Sequence, residues 1–275
     1  MPRQPNLHEL HRLSAAERRR LLTRAEADLS PFIDKIGPLI AAVERDGDAA
    51  LARFAAEFDG ASVDPRRLAA DATEFAAAEA SLGADLITAL RFAADAIRRF
   101  HQRQLPELAW MHEMAPGVMA GERTRPIPSL ACYVPRGKGS FPSAALMTAI
   151  PAAVAGVRDI VMLTPPGPDG SIDAATLLAA RLAGVERVFR VGGAQAIAAA
   201  AFGTQSIPRC AKVVGPGSPW VAAAKRALAH VIDTGSPAGP SEIVVLADPA
   251  ANGRLAALDL LIEAEHGEDS SAYLV

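Results

Sequence analysis

The amino-acid sequence predicts an α/β protein in which helices cover both faces of a parallel sheet. From Ser129 onward, short runs rich in β-branched residues alternate with alanine-rich helical segments, beginning with SLACYVP, PSAALMTAIPAAVAG and DIVMLTP. Strands that alternate with helices of this length form βαβ units, which build parallel sheets. A short repeat supports this pattern: AGVRDIVMLTPP and AGVERVFRVGG each place a glycine (Gly156, Gly184) at a predicted helix end, directly before a buried strand.

The part of the chain before Ser129 is predicted to be mostly helical. Apolar residues follow helical spacing from Ile33 to Phe54, and the break at residues 46–48 predicts two helices rather than one. A further amphipathic run, ADLITALRFAADAIRRFHQRQLP, predicts a helix that stops at Pro106.

The alternation of helices and strands continues to the end of the chain. DAATLLAARLAG, AQAIAAAAFG and PWVAAAKRALAHV are predicted helices, whereas RVFRV, AKVVGPG and EIVVLAD are predicted strands. RLAALDLLIEAEHGEDS predicts an amphipathic helix that ends at Gly267, and the final AYLV is predicted to begin another strand.

The composition is that of an ordinary globular protein. Half of the 275 residues are hydrophobic, 21% are charged and the net charge is -3. The negative charge and the low aromatic content of 5% argue against a nucleic-acid-binding protein. Cys132 and Cys210 are too few for a disulfide framework. Because no segment has the character of a secretory signal or a membrane span, we expect a cytoplasmic protein.

Three glycine-containing turns follow predicted strands and precede predicted helices: YVPRGKGSFPS, RVGGAQA and VVGPGSPW. Small residues allow a ligand to approach the backbone, and the N–H groups that open the next helix can receive an anion. Parallel strands present such turns along one edge of the sheet, where open α/β sheets bind ligands. Each turn alone is more often simple turn chemistry, and none matches the GxGxxG or GxxxxGK[ST] nucleotide fingerprints.

Side chains in these turns have two interpretations each. The Tyr133 ring at a strand end can stack on a flat ligand or serve as an amphipathic core residue. Gln195 can hydrogen-bond a ligand at the sheet edge or face solvent in the first turn of its helix. Arg136 and Lys138 add positive charge that suits a phosphate and equally suits a solvated loop. Ser241, in the rigid turn SPAGPSE, can present its hydroxyl to a ligand or simply enter a strand.

Glu263 and His266 lie three residues apart on one face of the last predicted helix. A carboxylate oxygen and an imidazole nitrogen are both zinc donors, but zinc takes about four ligands and only two are here. From spacing alone, the preferred interpretation is an ordinary histidine near a helix C-terminus.

Taken together, several motifs resemble the histidinol dehydrogenase family in order and spacing, over nearly the whole chain. They are VPxG after Tyr133, VGGAQAIAA, VGPG followed by a helix with AAK, PAGPSE and AEHG, with GDAAL, FDG and the run from Phe100-His101 to Pro106 in the first half.

The resemblance implies a zinc-dependent, NAD-linked oxidoreductase of histidine biosynthesis. Such an enzyme oxidises L-histidinol to L-histidine through an aldehyde, by two successive hydride transfers. The implied fold has two incomplete Rossmann-like domains, one inserted in the other. The expected segments are a helical N-terminal arm (1–30), a first domain (31–130 and 241–275, incomplete in its second part) and an inserted domain (131–240). The implied partners are an amino-alcohol substrate and a second copy in a homodimer, with no nucleic acid and no membrane.

Matched residue by residue, the resemblance also implies a set of site residues. Tyr133, Gln195 and Ser218 match positions that contact NAD. Ser241, Glu263 and His266 match positions that contact substrate, and the last two also match zinc ligands. The zinc is expected to orient the substrate.

Three positions depart from the family pattern. Glu263 stands where glutamine is typical, Ser218 where asparagine is typical, and Arg136 replaces a glycine. The added carboxylate can tighten the metal site and change what it accepts, and Arg136 suits an anionic substrate or a phosphate. A dehydrogenase of another small alcohol is therefore an alternative.

Family members extend beyond the position of Val275, and the resemblance places a catalytic Glu–His pair and the other zinc ligands there. We therefore expect a C-terminally truncated chain with no catalytic residue of its own and no turnover, in which AYLV is an unpaired strand. Two further alternatives are a non-catalytic remnant that binds cofactor or a partner, and a plain structural α/β module.

Overall fold

The computed structural model describes residues 6–22, 29–136, 139–236, 242–265 and 270–275. The predictions for Lys138, Ser241 and His266 therefore lie outside the described residues. The chain divides into two compact units, one formed by Leu29–Ala238 and the other by Met1–Asp28 with Gly239–Val275. The boundaries expected from the family resemblance, 31–130 with 241–275 and 131–240, stay a prediction.

The fold is of the α/β class, as predicted, and the larger unit contains most of its elements. Its helices are α2 (Ser30–Asp46), α3 (Asp48–Phe58), a short 3₁₀ helix (Pro65–Arg67), α4 (Ala72–Ser81), α5 (Ala84–Gln102), α6 (Pro142–Val154), α7 (Ala174–Leu182), α8 (Gly193–Phe202) and α9 (Pro219–Leu228). Its strands are β1 (Ala109–Ala115), β2 (Val118–Arg123), β3 (Ser129–Tyr133), β4 (Asp159–Thr164), β5 (Val188–Arg190) and β6 (Lys212–Val214).

The helix ends predicted around residues 46–48 and at Gly156 and Gly184 are confirmed, whereas the end predicted at Gly267 lies outside the described residues. α2 and α3 are separate helices, with Gly47 between them at a φ of 56°. Gly156 and Gly184 follow α6 and α7 with φ values of 83° and 80°, the left-handed backbone expected of residues that end helices. Each is followed closely by the buried strand that the repeat predicted.

Strands β3 to β6 form a parallel sheet in the order β5-β4-β3-β6. In the order of the chain this is 3-2-1-4, the arrangement of the Rossmann fold. The order reverses between β3 and β6, because β4 lies on one side of β3 and β6 on the other. In such sheets the crevice at the carboxyl ends of the two strands flanking the reversal is where ligands bind.

Helices bury both faces of this sheet, as the runs of buried residues in the strands predicted. Ala131, Tyr133 and Leu163 point to the face that packs against α2, α3, α8 and α9. Their neighbours Cys132 and Met162 point to the opposite face, which packs against helices α4 to α7. This alternation is the period of two expected of strands.

A buried arginine ties the segment before β1 to the edge of the sheet. Arg190 is only 6% exposed. Its guanidinium donates to the carbonyl oxygens of Arg67, Ala69 and Gly170 at 2.7 to 2.9 Å and forms an ion pair with Glu74. A buried charge is tolerated only when it is paired and hydrogen-bonded, and this one is both.

The segment between α5 and β3 corrects the expectation of a mostly helical first half. β1 and β2 form an antiparallel hairpin, in which Ala109 pairs with Arg123 and Ala115 with Val118. All residues of both strands are exposed. Pro116 and Gly117 form the turn, and Gly117 has a φ of 78°.

The smaller unit contains α1 (Ala15–Leu22), β7 (Glu242–Val245), α10 (Gly253–Ala264) and β8 (Ser271–Leu274). β8 contains most of AYLV and pairs in parallel with β7, so the expectation of an unpaired strand was wrong. α10 is not amphipathic as predicted, because only Ala256 is buried, whereas Leu255, Leu258, Leu261 and Ile262 are each about half exposed. Across the described part of the chain, every helix is too short or too polar to span a membrane.

Candidate functional site

The backbones of β3 and the turn after β6 touch where the strand order reverses. Cys132 pairs with Val214, the last residue of β6. A Cβ atom placed on the next residue, Gly215, would lie 2.0 Å from the carbonyl oxygen of Tyr133. Only glycine can therefore occupy position 215, where φ is 115°. Close packing between the two strand ends therefore accounts for the glycine at position 215, and no ligand is needed to explain it.

A buried lysine holds this turn in place. The Nζ of Lys225, in α9, donates to the carbonyl oxygen of Gly215 at 2.5 Å. Lys225 is 7% exposed, and burial lowers the pKa of its ammonium group. The AAK sequence contributed to the family resemblance, but its spacing gave no reason to predict this contact.

Tyr133 is a core residue whose hydroxyl group reaches the second glycine turn. It is 4% exposed, so its ring packs in the core and is not placed to stack on a flat ligand. Its hydroxyl oxygen accepts a hydrogen bond from the backbone N–H of Gly193, at 3.2 Å. Burial, with a smaller contribution from the charge of Asp59, raises the pKa of Tyr133 to about 12, so the phenol is protonated at neutral pH.

Gln195 lies next to the same glycine. It is 3% exposed, so the solvent-facing alternative was wrong. A Cβ atom on Gly193, where φ is 61°, would lie 2.7 Å from the Oε1 of Gln195. The Tyr133 hydroxyl and the Gln195 amide, both predicted to bind cofactor, are thus brought together at the residue that opens α8.

Asp59 has an unusual carboxyl environment that the sequence did not lead us to expect. It caps the end of α3, where its own N–H donates to the carbonyl of Ala55. Its Oδ2 atom is buried and has no hydrogen-bond partner among the described residues. Burial raises the pKa of Asp59 to about 6, although the cation of Arg136 acts in the opposite direction. FDG contributed to the family resemblance, but only tertiary structure brings its aspartate near Tyr133.

Arg136 is partly buried and hydrogen-bonded, so the interpretation of this residue as a solvated loop charge was wrong. It is half-buried, and its Nη1 donates to the carbonyl oxygen of Ser171 at 2.9 Å. Asp169, whose pKa is lowered mainly by hydrogen bonds from Ser171, also lies within its electrostatic reach. Arg136 therefore helps to hold the 167–171 loop against the first turn.

Comparison with known proteins identifies a family for this chain. The family model described as histidinol dehydrogenase matches residues 22–275. The chain belongs to the histidinol dehydrogenase family.

Individual members of the histidinol dehydrogenase family align over almost all of the chain. A histidinol dehydrogenase homolog from Rhizobium meliloti is 57% identical over 98% of the chain and 59% of its own length. A histidinol dehydrogenase from Synechocystis is 43% identical over 97% of the chain and 62% of its own length. The crystal structure of histidinol dehydrogenase from Elizabethkingia anophelis superposes with a TM-score of 0.86 at 34% identity, over 95% of the chain and 60% of that protein. The chain thus spans about three fifths of the length of these relatives.

For the other predicted site residues within the described ranges, Ser218 and Glu263, the structure gives a position and an exposure. Ser218 immediately precedes α9 and is exposed, and its side chain makes no capping hydrogen bond to that helix. It lies after β6, which pairs with β3 at the strand-order reversal. Glu263 is half-buried in the last turn of α10, in the smaller unit.

The residues of the larger unit suit a dinucleotide, whereas the described residues do not assemble a zinc site. The Tyr133 hydroxyl and the Gln195 amide both lie next to Gly193, where the side chain of any other residue would collide with Gln195. For zinc, Glu263 has a suitable donor oxygen, but the described ranges contain no group of three or more His, Cys, Asp or Glu residues placed to hold a metal.

Proposed function

We propose that this chain supplies the NAD site and part of the zinc site of a dehydrogenase that oxidises L-histidinol to L-histidine. The oxidation proceeds through an aldehyde by two successive hydride transfers. The observation that carries the proposal is the convergence of Tyr133, Gly193 and Gln195 at the carboxyl edge of a sheet with Rossmann strand order, in a member of the histidinol dehydrogenase family.

The residues of the larger unit bind and orient the dinucleotide. The Gln195 amide can both donate and accept hydrogen bonds, and the protonated Tyr133 hydroxyl can donate one to a ligand while it accepts from Gly193. Ser218, exposed at the start of α9, offers a further hydroxyl. Because Tyr133 and Gln195 are buried, their polar atoms are held in fixed positions before the ligand arrives.

In the smaller unit, we assign Glu263 and His266 as two zinc ligands and Ser241 as a substrate contact. Carboxylate and imidazole are donor types that zinc prefers. When bound, NAD supplies the hydride acceptor and zinc the Lewis acid that orients the amino alcohol. No residue of this chain is assigned an acid–base role. We further propose that the protein works as a cytoplasmic homodimer.

A second candidate is a dehydrogenase of another small alcohol. The chain is 57% identical to a protein named a histidinol dehydrogenase homolog but 43% identical to one named histidinol dehydrogenase. Glu263 adds a negative charge where the family typically has a neutral glutamine, and this charge changes the electrostatics around a bound metal and substrate. Both observations favour a change of substrate within the same chemistry.

The test is NADH formation by the full-length protein, loaded with zinc and offered L-histidinol and a panel of other small alcohols. We expect zinc-dependent NADH formation with at least one alcohol, with two NADH per molecule if the product is a carboxylate. Preference for L-histidinol supports the first candidate, and preference for another alcohol supports the second. A protein that binds NAD and zinc but oxidises none of the alcohols contradicts both.

A further inference from the structure

The carboxyl group of Asp59 occupies a position that the fold itself does not favour. It lies at the C-terminal end of α3, where the helix dipole disfavours negative charge. Its Oδ2 is buried without a hydrogen-bond partner among the described residues, a situation that lowers stability, and more so for a charged group. A residue that costs stability in this way is expected to have a role outside folding.

The neighbouring charged and polar groups do not satisfy this carboxyl group. The cation of Arg136 acts on the pKa of Asp59, but its Nη1 donates to the carbonyl oxygen of Ser171. The Tyr133 hydroxyl lies close enough for the charge of Asp59 to raise its pKa, but forms its hydrogen bond with the N–H of Gly193. Asp59 as a whole residue is only partly buried, although its Oδ2 atom is not exposed.

A second buried aspartate shows what a purely structural role looks like in this protein. Asp48 also has one buried oxygen, Oδ1, without a partner. Its other oxygen, however, accepts a hydrogen bond from the hydroxyl of Ser206 at 2.5 Å, and its backbone N–H donates to Gln205 at 2.8 Å. These contacts join α3 to the segment after α8, whereas the Oδ2 of Asp59 has no hydrogen-bond partner in another element among the described residues.

We infer that Asp59 is a further cofactor-binding residue, whose carboxylate accepts a hydrogen bond from a hydroxyl group of NAD bound at Tyr133, Gly193 and Gln195. The inference rests on the proposed function only in taking NAD as the ligand. A carboxylate is a pure acceptor, and the ribose hydroxyls of a dinucleotide are donors without charge. Acidic residues bind ribose in this way in Rossmann folds.

The experiment measures the dissociation constant of NAD by calorimetry on the full-length protein and on two variants. Asp59→Asn keeps the size of the side chain but removes the charged acceptor, and we expect it to weaken NAD binding about tenfold, or about 1.4 kcal/mol. Glu57→Gln is the matched control, because Glu57 is exposed two residues earlier on the same helix, and it should bind NAD like the parent.

The pH dependence of binding provides a second readout that a structural role would not change. Among the described residues, the titratable and charged groups coupled to Asp59 are the Tyr133 phenol and the Arg136 guanidinium. Because Asp59 has a pKa of about 6, the parent should lose NAD affinity as the pH falls from about 7.5 to about 5. Asp59→Asn should show a flatter profile.

The outcomes separate this inference from the proposed function. Equal NAD affinity and equal pH profiles in the parent and Asp59→Asn would overturn the inference and leave the NAD-linked function intact. A parent protein that binds no NAD would overturn both. Weaker NAD binding by Asp59→Asn in a protein that oxidises no alcohol would support the inference and count against the function.

Discussion

The backbone N–H of Gly193 donates a hydrogen bond to the hydroxyl oxygen of Tyr133 at 3.2 Å, across 60 positions of sequence. This contact joins the carboxyl end of β3 to the first residue of α8. It brings two glycine turns together, so that the predicted NAD contacts Tyr133 and Gln195 both lie next to Gly193.

Replacing Tyr133 with phenylalanine tests the contribution of this hydrogen bond. The ring stays in the core, but the Gly193 N–H loses its acceptor, so the free energy of unfolding should fall by about 1 kcal/mol. NAD affinity should fall about fivefold or more, because a ligand contact is lost and the turn is less fixed. Chemical denaturation and calorimetry measure the two effects. Tyr273→Phe is the matched control, in the smaller unit, and an equal loss of affinity there would contradict the assignment.

Replacing Gly193 with alanine tests the space at the start of α8. The new residue must adopt a φ of 61°, at a cost of roughly 1–2 kcal/mol. Its Cβ would also displace the Gln195 side chain, from which it would lie only 2.7 Å. We expect lower thermal stability and loss of most NAD affinity.

Gly37→Ala serves as the comparison for Gly193→Ala. An added Cβ at Gly37 meets nothing within 4 Å, and Gly37 lies inside α2. Because Gly37 directly precedes Pro38, whose ring disfavours a helical backbone for a preceding residue with a Cβ, no gain in stability is expected, and NAD affinity should not change. If Gly193→Ala also leaves NAD affinity unchanged, Tyr133, Gly193 and Gln195 do not form a ligand site.

Asp59 gives the stability of the protein a pH dependence of unusual sign for a carboxyl group. Its pKa rises from 3.8 to about 6 on folding, mainly through burial, so the folded protein holds this proton more tightly than the unfolded chain. The contribution is favourable below about pH 4 and is lost as the pH rises through about 6. Asp59→Asn should therefore gain stability relative to the parent as the pH rises between these values. Denaturant titrations of both proteins across this range measure the difference, and a constant difference would contradict the assignment.

Glu263 is expected to affect zinc affinity through its negative charge. Glu263→Gln restores the residue typical of the family, and the neutral amide should weaken zinc binding about tenfold without abolishing it. Zinc titration calorimetry on the full-length protein measures this change in affinity. Glu265→Gln is the control, because Glu265 is exposed at the C-cap of α10. Unchanged zinc affinity in Glu263→Gln would exclude Glu263 as a ligand.

Much of the fold follows from local sequence patterns. The β-branched runs after Ser129 became strands of a parallel sheet, and Gly47, Gly156 and Gly184 each follow a helix. The hairpin of β1 and β2 was missed because its exposed strands carry no buried stripe, although Pro116-Gly117 was a usable turn signal. The burial of Gln195 was also missed, since a helix as apolar as α8 is buried on all sides and not only on one.

The site was only partly predictable, for a physical reason. Strand ends and glycine turns are local features, so Tyr133 and Gln195 could be selected from sequence. The contacts of Asp59 and Lys225 depend on how α3 and α9 pack against the sheet, which no local pattern encodes. In the smaller unit, Ser241 and His266 lie outside the described residues, and their assignment still depends on the family resemblance.

The most direct test of the NAD site is an experimental structure of the full-length protein with NAD bound. We predict that the dinucleotide lies at the carboxyl edge of the β5-β4-β3-β6 sheet, with polar contacts to Tyr133, Gln195 and the N–H groups that open α8. A dinucleotide bound elsewhere, with Tyr133 and Gln195 making no contact to it, would contradict the account.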